Sequence, residues 1–264
     1  SQVSVPQGTK RDLRVAFFIG NCGCRISSRV FGPLSGKIAP YPADMNVSLA
    51  MTDLSLATRL VDSLPHGQKG LFNPWRDCSA DDLLANTPES RLHRLAQHLD
   101  CAPDFILCGE APGYQGCVRS GIAFTSERLL IEGAIPRVSR VAGRLTERRL
   151  PFSEPSATIV WKTLYKLGIA EKTILWNAVQ LHPYMPGNRL SNRTPTPAEI
   201  ALGAPAMRML AEAFPQARIV AVGRKAESLL GEMGVRLAGA VRHPANGGAT
   251  AFAAGLSELA GPTA

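Results

Sequence analysis

The chain has 264 residues, of which 45% are hydrophobic and 19% are charged, so one sizeable hydrophobic core can form. Lys and Arg outnumber Asp and Glu by 29 to 21, and the net charge of +8 favours a polyanionic partner such as nucleic acid, although charge alone does not separate DNA from RNA or an acidic membrane surface. No apolar run approaches the roughly 18 residues of a bilayer-spanning helix, so we expect no membrane partner. We also expect the protein to be a monomer.

Six cysteines occur in the chain, and only Cys22 and Cys24 are close enough in sequence to suggest a motif. Their C-x-C spacing matches the common zinc and redox patterns poorly, and no second pair follows to complete a site. The apolar stretch after Lys10 and Arg11 is too short for a secretory signal. We therefore expect reduced thiols, a cytoplasmic location and no metal site.

Residues 1–44 are rich in Gly, Pro and Ser, and we interpret them as an N-terminal extension of uncertain structure. Residues 45–264 are predicted to form one α/β domain. Their pattern begins with an amphipathic stretch over 49–64 and then alternates helical periodicity with short buried strands. This alternation predicts a three-layer α/β/α sandwich with a central, mostly parallel sheet.

The predicted elements follow one another in a regular order. Strands are predicted at 105–108, 173–176, 218–222 and 235–241. Helices are predicted near 89–99, 156–167, 197–213, 224–232 and 249–259. Thr196 followed by Pro197, with Glu199 in the first turn, supports the start of the third of these helices.

Polar loops follow three of the predicted strands. GEAPGY begins at Gly109, Asn177 opens a polar segment, and RHPANGG begins at Arg242. A parallel sheet binds its ligand beyond the carboxyl ends of its strands. The three loops are therefore expected to meet at one edge of the sheet.

These loops resemble the signature motifs of the uracil-DNA glycosylase superfamily, and the resemblance covers roughly residues 70–258. GEAPG resembles the water-activating motif of the superfamily's iron–sulfur branch, and RSGIAFTS at 119–126 resembles the segment that places an aromatic ring under the flipped base. NAVQLHPYMPGNRLSNRTPTPAEI at 177–200 resembles the strand with the base-reading asparagine, and RHPANGG resembles the His-Pro loop that contacts uracil and wedges into the duplex. The resemblance implies a base excision repair enzyme that flips uracil out of single- or double-stranded DNA, hydrolyses its N-glycosidic bond and releases uracil.

One departure from the iron–sulfur branch affects the cofactor. Relatives with a cluster carry four cysteine ligands, two of which flank the PGNRTP segment, whereas Leu181, Leu202 and Gly203 occupy those neighbourhoods here. Cys22 and Cys24 alone do not make a four-thiolate site. The sequence therefore predicts a cluster-free branch that works without metal or other cofactor.

The resemblance assigns the chemistry to three side chains. Asn177 offers an acceptor for uracil N3–H and a donor for O4, and cytosine would leave this amide mispaired at a cost of about 1–3 kcal/mol. His243, in its neutral form, is expected to donate to uracil O2, where negative charge develops. Glu110 is expected to orient or deprotonate the attacking water and to stabilise the cationic sugar. Another branch carries an Asp one position later, where this chain has Ala111.

Further contacts are expected around these three groups. Phe124 should stack on the extruded base, Tyr114 should crowd the C5 position, and Ala111 should border the base. Asn246 is the candidate to fill the gap that extrusion leaves in the base stack. Arg193, Thr194 and Pro195 are expected to brace the turn before the 197–213 helix. The side chains and loop residues expected to contact DNA are Arg119, Ser126, His182, Pro244, Asn246 and Gly247.

Three other functions stay open. A protein of the same fold could hold uracil-containing or abasic DNA with little turnover, and a related enzyme could act on another deaminated base such as hypoxanthine. An unrelated phosphate-binding α/β protein would use GEAPGYQG as its anion loop. That segment lacks both the Gly-Lys-Ser/Thr ending of a P-loop and the GxGxxG fingerprint, which disfavours this last alternative.

Overall fold

The computed structural model describes residues 51–261, so the interpretation of residues 1–44 lies outside the described part of the chain, as do Cys22 and Cys24. The strands are β1 (Leu71–Phe72), β2 (Phe105–Gly109), β3 (Thr173–Asn177), β4 (His182–Pro183), β5 (Arg218–Val222) and β6 (Gly239–Val241). The helices are α1 (Met51–Asp62), α2 (Pro88–Leu99), α3 (Cys117–Ser120), α4 (Glu127–Glu132), α5 (Pro155–Lys166), α6 (Pro197–Ala213), α7 (Arg224–Glu232) and α8 (Ala249–Ala260), with a 3-10 turn at Ala170–Lys172.

Four strands form one parallel sheet in the order β3-β2-β5-β6. The predicted α/β class and parallel sheet are thereby confirmed, and the five predicted helices correspond to α2 and α5 to α8. The prediction of a long last strand is wrong, because only Gly239–Val241 pair with β5. The Val235 N–H donates instead to the Leu230 carbonyl at the end of α7, so this backbone is still turning away from the helix. An unpredicted antiparallel pair, β1 with β4, lies outside the main sheet.

Alternate residues of each central strand enter two separate hydrophobic cores, as the twofold side-chain period of a strand requires. In β2, Ile106 and Cys108 pack into the core that α1, α2, α6 and α7 cover, whereas Phe105 and Leu107 pack into the core that α4, α5 and α8 cover. Helices therefore cover both faces of the sheet, and its strands are almost continuously apolar.

Local sequence explains where α6 begins. The Thr196 side chain accepts from the Glu199 N–H, and the Glu199 carboxylate accepts from the Thr196 N–H, which completes a capping box. Pro197 occupies the first turn, where backbone N–H groups have no acceptor within the helix, so the N–H that proline lacks costs nothing. The predicted helix start is confirmed, and it fixes the end of the loop that follows β4. No helix within residues 51–261 combines the length and apolar character that crossing a bilayer requires.

The strand order places a switch point beyond the carboxyl end of β2. Strand β3 pairs with one side of β2, and β5 pairs with the other. The chain therefore runs from β2 to β3 on one side and later crosses to β5 on the other side. The loops at the carboxyl ends diverge there and leave a crevice.

A buried carboxylate organises the loop that leads towards this crevice. Glu127 Oε1 accepts from Arg144 Nε and from the N–H groups of Leu145 and Thr146, at 2.9 to 3.2 Å. Its Oε2 accepts from the Thr146 hydroxyl at 2.7 Å and from the Phe152 N–H at 2.9 Å. Burial on its own would raise the pKa of Glu127, but the hydrogen bonds, led by Arg144, outweigh it and hold the pKa below its usual value.

We predict that Glu127→Gln lowers the free energy of unfolding by about 2–4 kcal/mol at pH 7, because the amide places donors against buried donors. The matched control Glu132→Gln changes an exposed i,i+4 pair with Arg128 and should cost under about 1 kcal/mol. Urea unfolding measures both. Because the folded-state pKa of Glu127 is depressed, its stabilisation is present above the unfolded-state pKa and lost as pH falls through the folded-state pKa. Equal effects of the two variants would contradict this account.

Candidate active site

A pocket of about 600 Å³ opens at the carboxyl ends of the parallel strands, where the sequence placed the ligand site. Its walls come from the end of β3, from the loops after β2, β4, β5 and β6, and from the starts of α5 and α7. Six residues singled out from the sequence line it together: Glu110, Ala111, Phe124, Asn177, His243 and Asn246.

The floor of the pocket depends on Gly109, the last residue of β2. Gly109 pairs in register with Asn177 at the end of β3. A Cβ at Gly109 would lie 2.7 Å from Phe124 Cζ and 2.8 Å from Asn177 Oδ1, which is closer than real Cβ contacts come. Phe124 itself has a φ of +48°, in the left-handed region that a bulky side chain rarely adopts. The absent side chain at Gly109 therefore lets an amide and an aromatic ring meet at one point.

His243 is held in one tautomer. The Ala245 N–H donates to His243 Nδ1 at 3.1 Å, so Nδ1 is unprotonated and the ring proton lies on Nε2. Burial lowers the pKa of His243, and the neighbouring Arg242 lowers it further, which keeps the ring neutral at pH 7. The His243 ring lies 6.0 Å from the Phe124 ring between centroids. On another side, His243 packs closely against Gly223, which has a φ of +92°. A Cβ at Gly223 would lie only 3.0 Å from His243 Cβ.

Glu110 follows β2 directly and lines the same pocket. Its carbonyl accepts from the Val179 N–H at 3.0 Å, which continues the β2–β3 pairing by one step. Lys225 Nζ lies 3.4 Å from Glu110 Oε1, an ion-pair distance that lacks hydrogen-bond alignment. Oε1 has no hydrogen-bond partner within residues 51–261.

A second carboxyl group, which was not among the predicted site residues, lines the pocket. Glu154 precedes α5, and its Oε1 accepts from the Ser156 hydroxyl at 2.7 Å. A Cβ at Gly116 would lie 1.9 Å from Glu154 Oε2, so this carboxyl group fills the space that a glycine leaves. Burial raises the pKa of Glu154. Cys117 also lines the pocket, and burial, together with the Glu154 charge, raises the pKa of its thiol.

Basic side chains surround the opening; two of them were not predicted as site residues, and Arg242 was named only as the first residue of the RHPANGG loop. Arg224 and Lys225 belong to the first turn of α7, and Arg242 follows β6. All three are exposed and line the pocket. Arg193 lines it too, but its guanidinium is paired with the Glu199 carboxylate at 2.6 Å and donates to the Tyr184 carbonyl, as expected for a brace.

Two predicted DNA contacts are corrected by burial. Arg119 is 1% exposed and donates to Asp81 Oδ2 at 2.9 Å and to the Tyr114 carbonyl at 3.3 Å. His182 is also 1% exposed, and its Nδ1 donates to the Pro112 carbonyl at 2.7 Å. Burial lowers the pKa of His182 to about 4, so the ring is neutral. Both side chains support the GEAPGY loop from inside the protein, and neither is accessible to a phosphate group at the surface.

Four further predicted positions have different outcomes. The Ser126 side chain is fully buried, so its predicted phosphate contact is wrong. The Tyr114 ring packs edge-on against Phe152 and is not among the residues that line the pocket, so its contact with C5 stays a prediction. Pro244 is buried, whereas Gly247 is exposed with φ +75° beside Asn246 at +52°. DNA contact by the 244–247 turn stays a prediction.

Among residues 51–261, no three His, Cys, Asp or Glu side chains are grouped as a metal ion would require. Leu181, which stands near one missing cluster ligand, is fully buried. The prediction of a cluster-free protein stays a prediction, since Cys22 and Cys24 lie outside the described residues.

The strand ends of the parallel sheet thus present an amide, a neutral imidazole and a carboxylate around an aromatic ring. The family model of the Uracil DNA glycosylase superfamily matches residues 96–255, and the chain belongs to that superfamily. The crystal structure of wild-type SMUG2 from Pedobacter heparinus is similar to it, with a TM-score of 0.50 and 18% identity over 74% of this chain and 88% of that chain. This likeness concerns the fold. No curated protein sequence matches the chain.

The state of His243 is open to direct measurement. We predict that ¹⁵N chemical shifts show a proton on Nε2 and none on Nδ1 at pH 7, and a pKa below 6.5. Arg242→Met should raise the pKa of His243 without restoring the full value, because burial is the larger cause. His182 serves as the internal control, because burial, Arg119 and Arg193 lower its pKa. Arg242→Met should therefore leave the pKa of His182 unchanged. A proton on Nδ1 at pH 7 would refute the tautomer.

Proposed function

We propose that the chain is a monofunctional uracil-DNA glycosylase that flips uracil into this pocket and hydrolyses its N-glycosidic bond without a resident cofactor. The observation that supports it is the meeting of Asn177, Phe124, His243 and Glu110 in one pocket at the strand ends. The reaction leaves an abasic site in DNA and free uracil, which places the protein in base excision repair. Exposed cations at the opening, including Arg224 and Arg242, suit a phosphodiester strand.

Base identity is the task of Asn177. This residue is 5% exposed at the end of β3 and lines the pocket, where its amide can meet a bound base. Uracil presents N3–H and O4 side by side, and one carboxamide can accept from the first and donate to the second. Cytosine presents an acceptor and a donor in the reverse order, which leaves buried groups unpaired at about 1–3 kcal/mol. Phe124 stacks on any base and supplies affinity with little discrimination.

Bond cleavage develops negative charge on the departing uracil and positive charge on the sugar. His243 Nε2–H, fixed by the Ala245 bond to Nδ1, is the preorganised donor to uracil O2. A donor that needs no reorientation stabilises the anion as it forms. Glu110 lies on the neighbouring loop, where its carboxylate orients the attacking water and offsets the positive charge of the sugar.

The decisive experiment compares oligonucleotides that contain uracil, hypoxanthine or a thymine mispair, single- and double-stranded, with chelator present. We expect uracil to be released from the full chain, and we expect Glu110→Gln and His243→Ala each to slow release by about 100-fold or more. Glu132→Gln, on the surface of α4, is the matched control and should leave release unchanged.

Each alternative function has its own outcome in that assay. Tight binding of uracil-containing DNA without release would indicate a binding protein. Preferential release of hypoxanthine would indicate a different substrate base. Uracil release that is unchanged in both Glu110→Gln and His243→Ala would reject the catalytic assignment.

A steric prediction tests the pocket floor. Gly109→Ala adds a methyl group within 3 Å of Phe124 and Asn177, so the ring and the amide must separate. We expect uracil release to fall by about 100-fold or more, because the base loses both its platform and its reader. Gly143→Ala is the control, since its Cβ meets nothing within 4 Å. Single-turnover release measures both variants, and activity that survives Gly109→Ala would show that the base does not sit at this floor.

A further inference from the structure

Lys225 joins two loops of the pocket through one ammonium group. Its Nζ lies 3.4 Å from Glu110 Oε1 and donates to the Thr194 hydroxyl at 2.7 Å. Glu110 belongs to the loop after β2, Thr194 to the loop before α6, and Lys225 to the first turn of α7. Three segments that are far apart in sequence therefore share one polar junction at the edge of the site.

One side of this junction is rigid. Thr194 lies between Arg193, whose guanidinium is paired with Glu199, and Pro195, which is buried. The Glu199 carboxylate in turn caps α6 by accepting from the Thr196 N–H at 2.8 Å. Lys225 starts from a helix turn that begins at Gly223. The ammonium group is thus held between a braced hydroxyl and a helix end.

On the other side of the junction, the Glu110 carboxylate would lack an ion-pair partner without Lys225. Within the described residues, Glu110 Oε1 has no hydrogen-bond partner, and it forms an ion pair with the ammonium group of Lys225. A carboxylate with one unsupported oxygen can rotate about its last side-chain bond, and a small misplacement of a catalytic group lowers the rate steeply. Lys225 is 63% exposed, so its ion pair contributes little to folding stability.

Resting on the proposed glycosylase function, we propose that Lys225 is a positioning residue, which fixes the Glu110 carboxylate towards the attacking water by tying it to Thr194. Lys225 then acts through Glu110 and makes no essential contact with the DNA itself. Its loss should lower the rate of the chemical step more than the affinity for DNA. A cation that only attracted phosphates would have the opposite effect, lowering affinity in a salt-dependent way.

The test uses single-turnover uracil release by the full chain from a uracil-containing oligonucleotide. We expect Lys225→Met to slow the rate at saturating enzyme by about tenfold, because the Glu110 carboxylate loses its ion-pair partner and is less well positioned, with the dissociation constant for DNA changed less than about threefold. Lys225→Arg, which keeps a cation able to reach both oxygens, should recover most of the rate. Thr194→Val should give a smaller fall that disappears in the Lys225→Met background. Lys166→Met, on the far end of α5, removes the same charge and should change neither constant.

A double-variant cycle identifies the route of the effect. If Lys225 acts through Glu110, Lys225→Met slows release no further once Glu110→Gln is present. An equal loss in both backgrounds, or a loss confined to DNA affinity, would overturn the proposal. If Lys225→Met does not fold, as thermal unfolding would show, Thr194→Val carries the same cycle with Glu110→Gln.

Failure of the positioning proposal is distinguishable from failure of the proposed function. Absence of uracil release by the unchanged chain, or release that is insensitive to Glu110→Gln, removes the glycosylase assignment. Release that depends on Glu110 but not on Lys225 or Thr194 removes the positioning role alone.

Discussion

The site depends on one close approach, that of an aromatic ring and a carboxamide over the last residue of β2. Gly109 has no side chain, and this lets Phe124 and Asn177 occupy the space beside its Cα. The approach is rigid because Gly109 pairs with Asn177 in the sheet, and because Phe124 is held at a positive φ. His243 lies at the same point, with its ring centroid 6.0 Å from that of Phe124.

Polar side chains buried behind the pocket keep its loops in place. Arg119 and His182 each donate to a carbonyl of the GEAPGY loop, those of Tyr114 and Pro112. A buried cation is expensive unless it is paired, and Arg119 meets that requirement through Asp81. The basic residues are therefore divided between two tasks. Arg119 holds the loop from inside, whereas Arg224 and Arg242 at the opening face the space where DNA is proposed to lie.

Much of the fold and the centre of the site could be predicted because both follow from local pattern. Buried strands alternate with amphipathic helices, and the rule that ligands bind beyond parallel strand ends selects Glu110, Asn177 and His243. The same rule applied to the loop after β5 would have selected Lys225, but a basic pair in a helical pattern also fits a solvated surface. The fate of Arg119 was not predictable, because its partner Asp81 is 38 residues away in sequence. Nothing local distinguishes an arginine that meets phosphate from one that meets a distant carboxylate.

The thiol of Cys117 in the wall of the pocket bears on how the site responds to reactive reagents. Cys117 borders the pocket, yet burial raises the pKa of its thiol far above physiological pH. Peroxides and alkylating agents attack the thiolate, which is scarcely populated under these conditions. Attack on Cys117 by such reagents is therefore disfavoured both by the low thiolate population and by the burial of the sulfur atom, which protects this wall of the pocket from a bulky or charged adduct.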